Sequence, residues 1–255
     1  MFIALWLLGC EAIDNAKDAV DGATETTVIQ ASILSVQEPQ DENLQALIQA
    51  TAFSPGTTAA AFVADASSPT EMENSPVTGA AVDVEGVALD EKEDGAYAFT
   101  PDRGPRYAAG SSWVLTVDRG DDEGERTAVV ALPAPAADAL NATGIGGSVE
   151  HTANTALMVD LTGRGYASSI IAVIGPDGDL AYSNNPESLA DLYDAMQSDE
   201  AGVFEIPASA FAETGLYAVG IAGLQHTTAE DLDGFNTVIS KVRAGEMVFW
   251  PVNVE

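Results

Sequence analysis

Residues 80–89 read Ala-Ala-Val-Asp-Val-Glu-Gly-Val-Ala-Leu, an alternating pattern that is interrupted by Glu85-Gly86. A period of two indicates a β-strand with one buried face, and a glycine-containing pair between two such runs is a hairpin signal. The same strand-like pattern recurs at residues 97–99, 113–117 and 127–132. Short strands with turns about every 8–12 residues are typical of an antiparallel β-sandwich.

The rest of the chain also has sequence patterns that are typical of β-strands. A β-branched stretch at 26–36 predicts a strand before the first hairpin, and Asp177-Gly178 predicts a hairpin turn in the second half. Further strands are predicted at 59–64, 155–161, 169–174, 180–183, 202–206, 216–222 and 247–254.

Two segments have helical patterns. Residues 186–197 begin with Pro186, which suits a first helical turn, and carry one apolar stripe. Residues 43–50 predict one or two turns, with Asn43 as the N-cap and Leu44, Leu47 and Ile48 on one face.

The first β region resembles bacterial Ig-like domains of the carboxypeptidase-regulatory kind, over roughly residues 57–133. The resemblance rests on the residues Pro76, Val77, Gly79, Ala80, Val82, Val84, Glu85, Gly86, Asp94, Gly95, Tyr97, Tyr107, Gly110, Trp113, Leu115 and Val117. It implies an Ig-like sandwich that serves as a spacer, an adhesive unit or an accessory domain. No catalytic residues belong to the motif.

A Pro/Ala-rich segment at 133–143 is semi-rigid by composition and predicts a linker. We therefore expect a mainly β protein with two Ig-like antiparallel β-sandwich domains. The first is expected at 25–132, with its core at 57–132. The second is expected at 144–255, with a short helix inserted near 186–197.

An apolar run at 2–8 precedes Gly9 and Cys10, which is the only cysteine. The run is too short to span a bilayer, which takes about 20 apolar residues, but it suits a signal-peptide core. The tetrapeptide Leu7-Leu8-Gly9-Cys10 resembles the lipobox of bacterial lipoproteins. That resemblance implies cleavage between Gly9 and Cys10 and a diacylglycerol on the Cys10 thiol.

No Lys or Arg precedes the apolar run, although export signals carry a positive N-terminal region. We therefore expect that translation starts upstream of Met1. Residues 1–9 are then the signal peptide, and the acidic residues 10–24 are a tether. The alternative is an apolar N-terminal strand or helix with a chance Gly-Cys pair.

The chain carries 40 Asp and Glu against 9 Lys and Arg, a formal net charge of −31. Such a field repels phosphate backbones and anionic lipids, so neither nucleic acid nor membrane binding through a basic patch is expected. A disulfide within the chain is excluded because there is one cysteine.

An acidic loop at 118–125 is the candidate metal site. It gathers the carboxylates of Asp118, Asp121, Asp122, Glu123 and Glu125, and Ca²⁺ prefers several oxygen ligands on a flexible loop. The alternative is a solvated hairpin tip. A second acidic stretch, 231–234, lacks the EF-hand ligand spacing and predicts a tight turn.

The two histidines, His151 and His226, lie in no metal-ligand spacing. A Ser-His-Asp hydrolase is conceivable, but no G-x-S-x-G motif occurs, and we expect both histidines at the surface or in loops. The glycine-rich run at 144–147 resembles a phosphate loop only loosely, since no Lys-Ser or Lys-Thr follows it.

Four aromatic residues could form a carbohydrate-binding platform, but their strand spacing favours the core. They are Trp113, Phe235, Phe249 and Trp250. Trp250-Pro251 predicts an edge strand or the entry to one, because proline is confined to edges, strand starts and irregularities of sheets.

Together these features predict an exported protein, lipid-anchored at the bacterial outer membrane or cell surface. We expect a structural, adhesive or binding role without catalysis or a cofactor, with an unidentified envelope protein or polysaccharide as partner. The alternative is an accessory module that binds carbohydrate or Ca²⁺. A hydrolase without a readable motif is a third class.

Overall fold

A computed structural model describes residues 27–49, 51, 53–66, 75–93, 95–99, 103–122, 124–137, 139–140, 148–185 and 202–255. The predicted signal peptide and tether, the helix near 186–197, the glycine-rich run at 144–147 and Glu123 lie outside the described residues.

The described part of the chain is mainly β, as the sequence predicts, with fifteen strands and one α-helix. The helix α1 is Glu42–Gln49, and 3-10 turns lie at Ala208–Phe211 and Ala229–Asp231. The strands are β1 Thr27–Val36, β2 Gly56–Asp65, β3 Ala81–Val84, β4 Val87–Glu93, β5 Ala96–Phe99, β6 Ser112–Asp118, β7 Glu125–Ala131, β8 Val149–His151, β9 Leu157–Asp160, β10 Ser168–Ile174, β11 Leu180–Ser183, β12 Val203–Ile206, β13 Gly215–His226, β14 Leu232–Asp233 and β15 Lys241–Val254.

The hairpin that was predicted at 80–89 is present as β3 and β4. Val84 pairs with Val87 across the turn. Glu85 and Gly86 have φ angles of 54° and 75°. Positive φ at both central residues is the geometry of the two-residue hairpin turn that matches strand twist. The alternation therefore points Val82 and Val84 into the core.

One continuous path of paired strands runs β11-β10-β13-β15-β1-β2-β5-β4-β3-β6-β7-β14, with β8 added beside β15. Strands β9 and β12 form a separate antiparallel pair. The first strand, β1, pairs in parallel with the last, β15, from Gln30–Lys241 to Val36–Met247. This pairing connects the region predicted as the first domain to the region predicted as the second.

The central strands are buried on both faces. On one face, two hydrophobic clusters lie side by side: one centres on Ile33 and Leu115, the other on Val219 and Trp250. On the other face, α1 packs Leu44 and Ile48 onto β10, β13 and β15. We call this second surface the helix face.

The described part of the Pro/Ala segment is packed against both clusters. The Tyr107 hydroxyl donates a hydrogen bond to the Pro133 carbonyl, and the Tyr166 hydroxyl donates one to Ala134 at 2.9 Å. Ala136 and Leu140 are buried in the second cluster. Burial is the main cause that raises the pKa of Tyr107 above its ordinary value.

The structure corrects the predicted helix cap. The α1 N-cap is Asp41, whose Oδ1 accepts hydrogen bonds from the backbone N–H groups of Asn43 and Leu44 at 2.8 and 3.0 Å. Asn43 instead lies within the first turn of the helix. The predicted apolar face is confirmed, since Leu44 and Ile48 are buried.

The edge-strand prediction for Trp250-Pro251 is wrong, because β15 is an interior strand. It pairs with β13 from Arg243 to Val254, and with β1 and β8 on its other side. The β1 pairing ends at Met247 and the β8 pairing begins at Val252. Pro251 thus lies at a break in the ladder, a place where a sheet tolerates proline.

Candidate functional site

Polar side chains form a row across neighbouring strands on the helix face. His226 on β13 pairs with Arg243 on β15, and Arg243 pairs with Ser32 on β1. Ser168, the first residue of β10, lies diagonally next to His226. We call these four residues and Asn185, which follows β11, the Arg243 cluster. It lies on the same face as Met247 and Phe249, beyond the apolar patch that α1 covers.

Hydrogen bonds hold the cluster together. Arg243 Nε donates to Ser32 Oγ at 3.1 Å, and Arg243 Nη2 donates to Asn185 Oδ1 at 2.9 Å. Ser168 Oγ lies 2.7 Å from His226 Nε2. Both acceptors of the guanidinium are neutral side chains.

The guanidinium of Arg243 is almost completely removed from solvent. The residue is 3% exposed, and no carboxylate of the described residues lies within ion-pair distance of it. Burial disfavours the charged form and lowers the pKa of Arg243 to about 10. At neutral pH the side chain is therefore still a cation, held by neutral partners.

A second basic residue lies on the same face of β15, two positions before Arg243. Lys241 is half-buried and donates to the Thr227 carbonyl at 3.3 Å. No ion pair joins it to a carboxylate of the described residues. The cluster is therefore a locally positive point in a strongly acidic protein.

The Ser168–His226 distance lies within the range in which a histidine can take a proton from a serine hydroxyl. Ser168 is only 7% exposed, so the hydroxyl faces protein rather than an open pocket. We therefore assign the pair a hydrogen-bonding role within the cluster.

Sequence reasoning placed both histidines at the surface or in loops, but each is the half-buried last residue of a strand. His226 ends β13 within the cluster. His151 ends β8, where Nε2 lies 3.0 Å from the Thr155 carbonyl and the ring packs edge-on against Phe211. No local sequence signal brings Ser32, Ser168 and Arg243 together, because the cluster depends on the register between strands that are distant in the chain.

The acidic loop at 118–125 is organised by two arginines. Arg126, which is 2% exposed, binds both oxygens of Asp121 at 3.1 and 3.3 Å and also the Gly124 carbonyl. Arg119 binds both oxygens of Asp65 at 2.6 and 2.8 Å, and its Nε lies 3.4 Å from Asp121. Asp118 accepts the Gly120 N–H at 2.8 Å.

Asp122 and Glu125 in this loop are exposed, whereas Asp121 is bound by the two arginines. Among the described residues, which omit Glu123, no three His, Cys, Asp or Glu side chains are grouped so that they could hold a metal ion. The predicted Ca²⁺ site stays a prediction. The tight turn predicted at 231–234 is wrong in part, because Asp231 ends a 3-10 turn and Leu232–Asp233 is the strand β14, which pairs with β7; the chain bends only at Gly234, which has a φ of 73°.

The four aromatic residues considered for a carbohydrate platform lie in the core, as their spacing favours. Trp113, Phe235, Phe249 and Trp250 are each 5% exposed or less. A shallow cleft of about 380 Å³ lies between α1 and the β10–β11 turn, and none of its lining residues belongs to the Arg243 cluster.

Within the described ranges, no helix has the length and hydrophobicity that crossing a bilayer requires. No protein-family model and no curated protein matches the sequence.

Proposed function

We propose that the chain is an exported lipoprotein held at the bacterial cell envelope by acyl chains on Cys10. The observation that carries the proposal is the Leu7-Leu8-Gly9-Cys10 tetrapeptide, in which the only cysteine follows a small residue and an apolar run. No second cysteine exists to form a disulfide with Cys10 within the chain. Lipidation is therefore the use that the lipobox resemblance assigns to this thiol.

The charge of the protein explains why such an anchor is needed. A net charge of −31 repels an anionic membrane surface, so the protein has no electrostatic means of staying there. One acyl chain gives only marginal, reversible binding, whereas two hold a protein stably. A diacylglycerol on Cys10 supplies two. Residues 11–26 separate Cys10 from β1, and fully extended they reach at most about 55 Å.

We infer a structural, adhesive or binding role for the β region, without catalysis, at the outer membrane or cell surface. Two Ig-like sandwiches remain the proposed arrangement, and two separate hydrophobic clusters support it. The parallel β1–β15 pairing connects the two sandwiches by backbone hydrogen bonds. Such a connection suits a spacer or an adhesive unit, which must transmit force without separating.

Metabolic labelling tests the anchor. Bacteria that express the chain from its native upstream DNA are grown with radioactive palmitate, and the protein is isolated from the membrane fraction. We expect label in the wild type, complete loss in Cys10→Ala, and retention in Gly9→Ala, because alanine preserves the small residue before the cysteine. Label that persists in Cys10→Ala, or a wild type without label, would contradict the proposal.

A further inference from the structure

The Arg243 side chain combines burial with the absence of a counter-charge among the residues that the structure describes. It is 3% exposed, and its two hydrogen-bond acceptors, Ser32 Oγ and Asn185 Oδ1, are uncharged. A buried cation without an anion is strongly destabilising, because neutral acceptors replace only part of its lost hydration. The chain has 40 acidic residues, yet the fold places none of the described carboxylates within ion-pair distance of this guanidinium.

The other nearly fully buried arginine shows how the same fold neutralises a guanidinium. Arg126, 2% exposed, is bound through both Nη atoms to the two oxygens of Asp121. Arg119 is held in the same two-oxygen manner by Asp65. Unlike these two arginines, Arg243 has no anionic partner among the described residues, and Lys241 on the same face also forms no ion pair with them.

The position of the missing anion is marked by Asn185. Its Oδ1 accepts from Arg243 Nη2 at 2.9 Å, and the residue is half-buried, so its side chain borders solvent while the guanidinium does not. A side-chain amide and a carboxylate are both planar and nearly equal in size. The Asn185 amide oxygen therefore stands where one oxygen of a carboxylate would bind. A tetrahedral phosphate does not match the shape of this planar amide.

We propose that the Arg243 cluster is a binding site for the carboxylate group of a small organic acid. The carboxylate displaces the Asn185 side chain and binds Arg243 Nη2 with one oxygen. Ser168 and His226 lie on the same side of Arg243 as Asn185 in the row, and their mutual hydrogen bond stays in place when the ligand binds. Ser32 keeps Arg243 Nε in place throughout.

The test measures the melting temperature of the purified full-length chain in sodium acetate and in sodium chloride at equal ionic strength. Holding the ionic strength constant removes the general screening of the net charge. For wild type we expect acetate to raise the melting temperature by about 3–6 °C at ten times its Kd. Arg106→Gln is the matched control, because it removes an exposed arginine and the same charge, and it should respond to acetate like wild type.

Two variants distinguish the site from a general effect of acetate. Arg243→Gln removes the cation and should lose the response. Asn185→Asp supplies a carboxylate from the chain itself, so it should melt higher than wild type in chloride and should not respond to acetate. The second variant retains Arg243, and it decides the question if Arg243→Gln does not fold.

The proposal is overturned if wild type does not respond up to about 100 mM acetate, at which even a millimolar site would be saturated. It is equally overturned if Asn185→Asp responds as strongly as wild type. A rise in melting temperature with phosphate but not with acetate would overturn the assignment to a carboxylate.

Discussion

Two nearly buried arginines differ in how the protein satisfies them. Arg126 has an ionic partner in Asp121, and Arg243 has the neutral partners Ser32 and Asn185. The difference follows from position. Arg126 lies beside an acidic hairpin loop, whereas Arg243 lies in an interior strand whose described neighbours on the same face include no carboxylate. Charge is easily placed in a loop, but strand neighbours are constrained by the core.

Removing the Asp121 charge should destabilise the fold. Asp121→Asn leaves the buried Arg126 guanidinium without its two-oxygen ion pair, and we expect a loss of about 2–3 kcal/mol in the free energy of unfolding. Asp122→Asn is the matched control, because it makes the same charge change at an exposed neighbour, and it should stay within about 0.5 kcal/mol of wild type. Urea denaturation of the three proteins measures both values.

The same pair of variants tests the calcium prediction for this loop. If the carboxylates are occupied by arginines, Ca²⁺ and Mg²⁺ should change the stability of wild type equally, through general screening. A rise in melting temperature with Ca²⁺ alone, lost in Asp122→Asn, would show that the exposed carboxylates form a metal site. Glu125 is then the next residue to substitute.

At the level of elements, local patterns predicted the strands well. The alternation at 80–89 gave the β3–β4 hairpin, and Asp177-Gly178 gave the turn between β10 and β11. The lengths of β13 and β15 were underestimated, because Gly215–His226 and Lys241–Val254 extend beyond the apolar runs that mark them. The C-terminal end of β13 and the N-terminal end of β15 carry polar residues, and His226 and Arg243 at these two ends belong to the Arg243 cluster.

Long-range pairing could not be predicted in this way. The strands β1 and β15 lie at opposite ends of the chain, and nothing local to either indicates its partner. A parallel pair needs a long connection, and here the connection is nearly the whole protein. The cluster depends on this pairing, since Ser32 reaches Arg243 only through the β1–β15 register. The candidate site was therefore invisible until the topology was known.

The helix α1 offers a test of how its N-terminus is held. Asp41→Ala removes the acceptor for two backbone N–H groups and should lower the free energy of unfolding by about 1 kcal/mol. Asn43→Ala changes an exposed residue inside the first turn and should cost no more than a few tenths of a kcal/mol. Urea denaturation gives both values. If Asn43→Ala lowered the free energy of unfolding more than Asp41→Ala does, Asn43 and not Asp41 would be the N-cap.

For the whole molecule, the dominant property is its charge of −31. Nine basic residues can neutralise at most nine acidic ones, and four of the nine, Lys92, Arg103, Arg119 and Arg126, form ion pairs with carboxylates of the described residues. The remaining carboxylates repel one another across the folded surface. Compaction brings them closer than in the unfolded chain, so the repulsion lowers the stability of the folded state.

We therefore expect the melting temperature of the full-length chain to rise by several degrees between about 20 mM and 500 mM NaCl, as the screening length falls from roughly 20 Å to 4 Å. KCl should act equally, whereas a rise only with sulfate would indicate exclusion from the protein surface instead. A flat response to NaCl would contradict the charge argument.

Arg243→Gln separates this global effect from the local one at the buried cluster. The self-repulsion belongs to the whole surface, so the variant should gain as much from NaCl as wild type does, while losing its response to acetate at constant ionic strength. If the NaCl response disappeared together with Arg243, chloride bound at the cluster would be its cause, and surface repulsion would not limit the stability of the protein. The two salts applied to one variant thus assign the stabilisation either to the net charge or to a single buried cation.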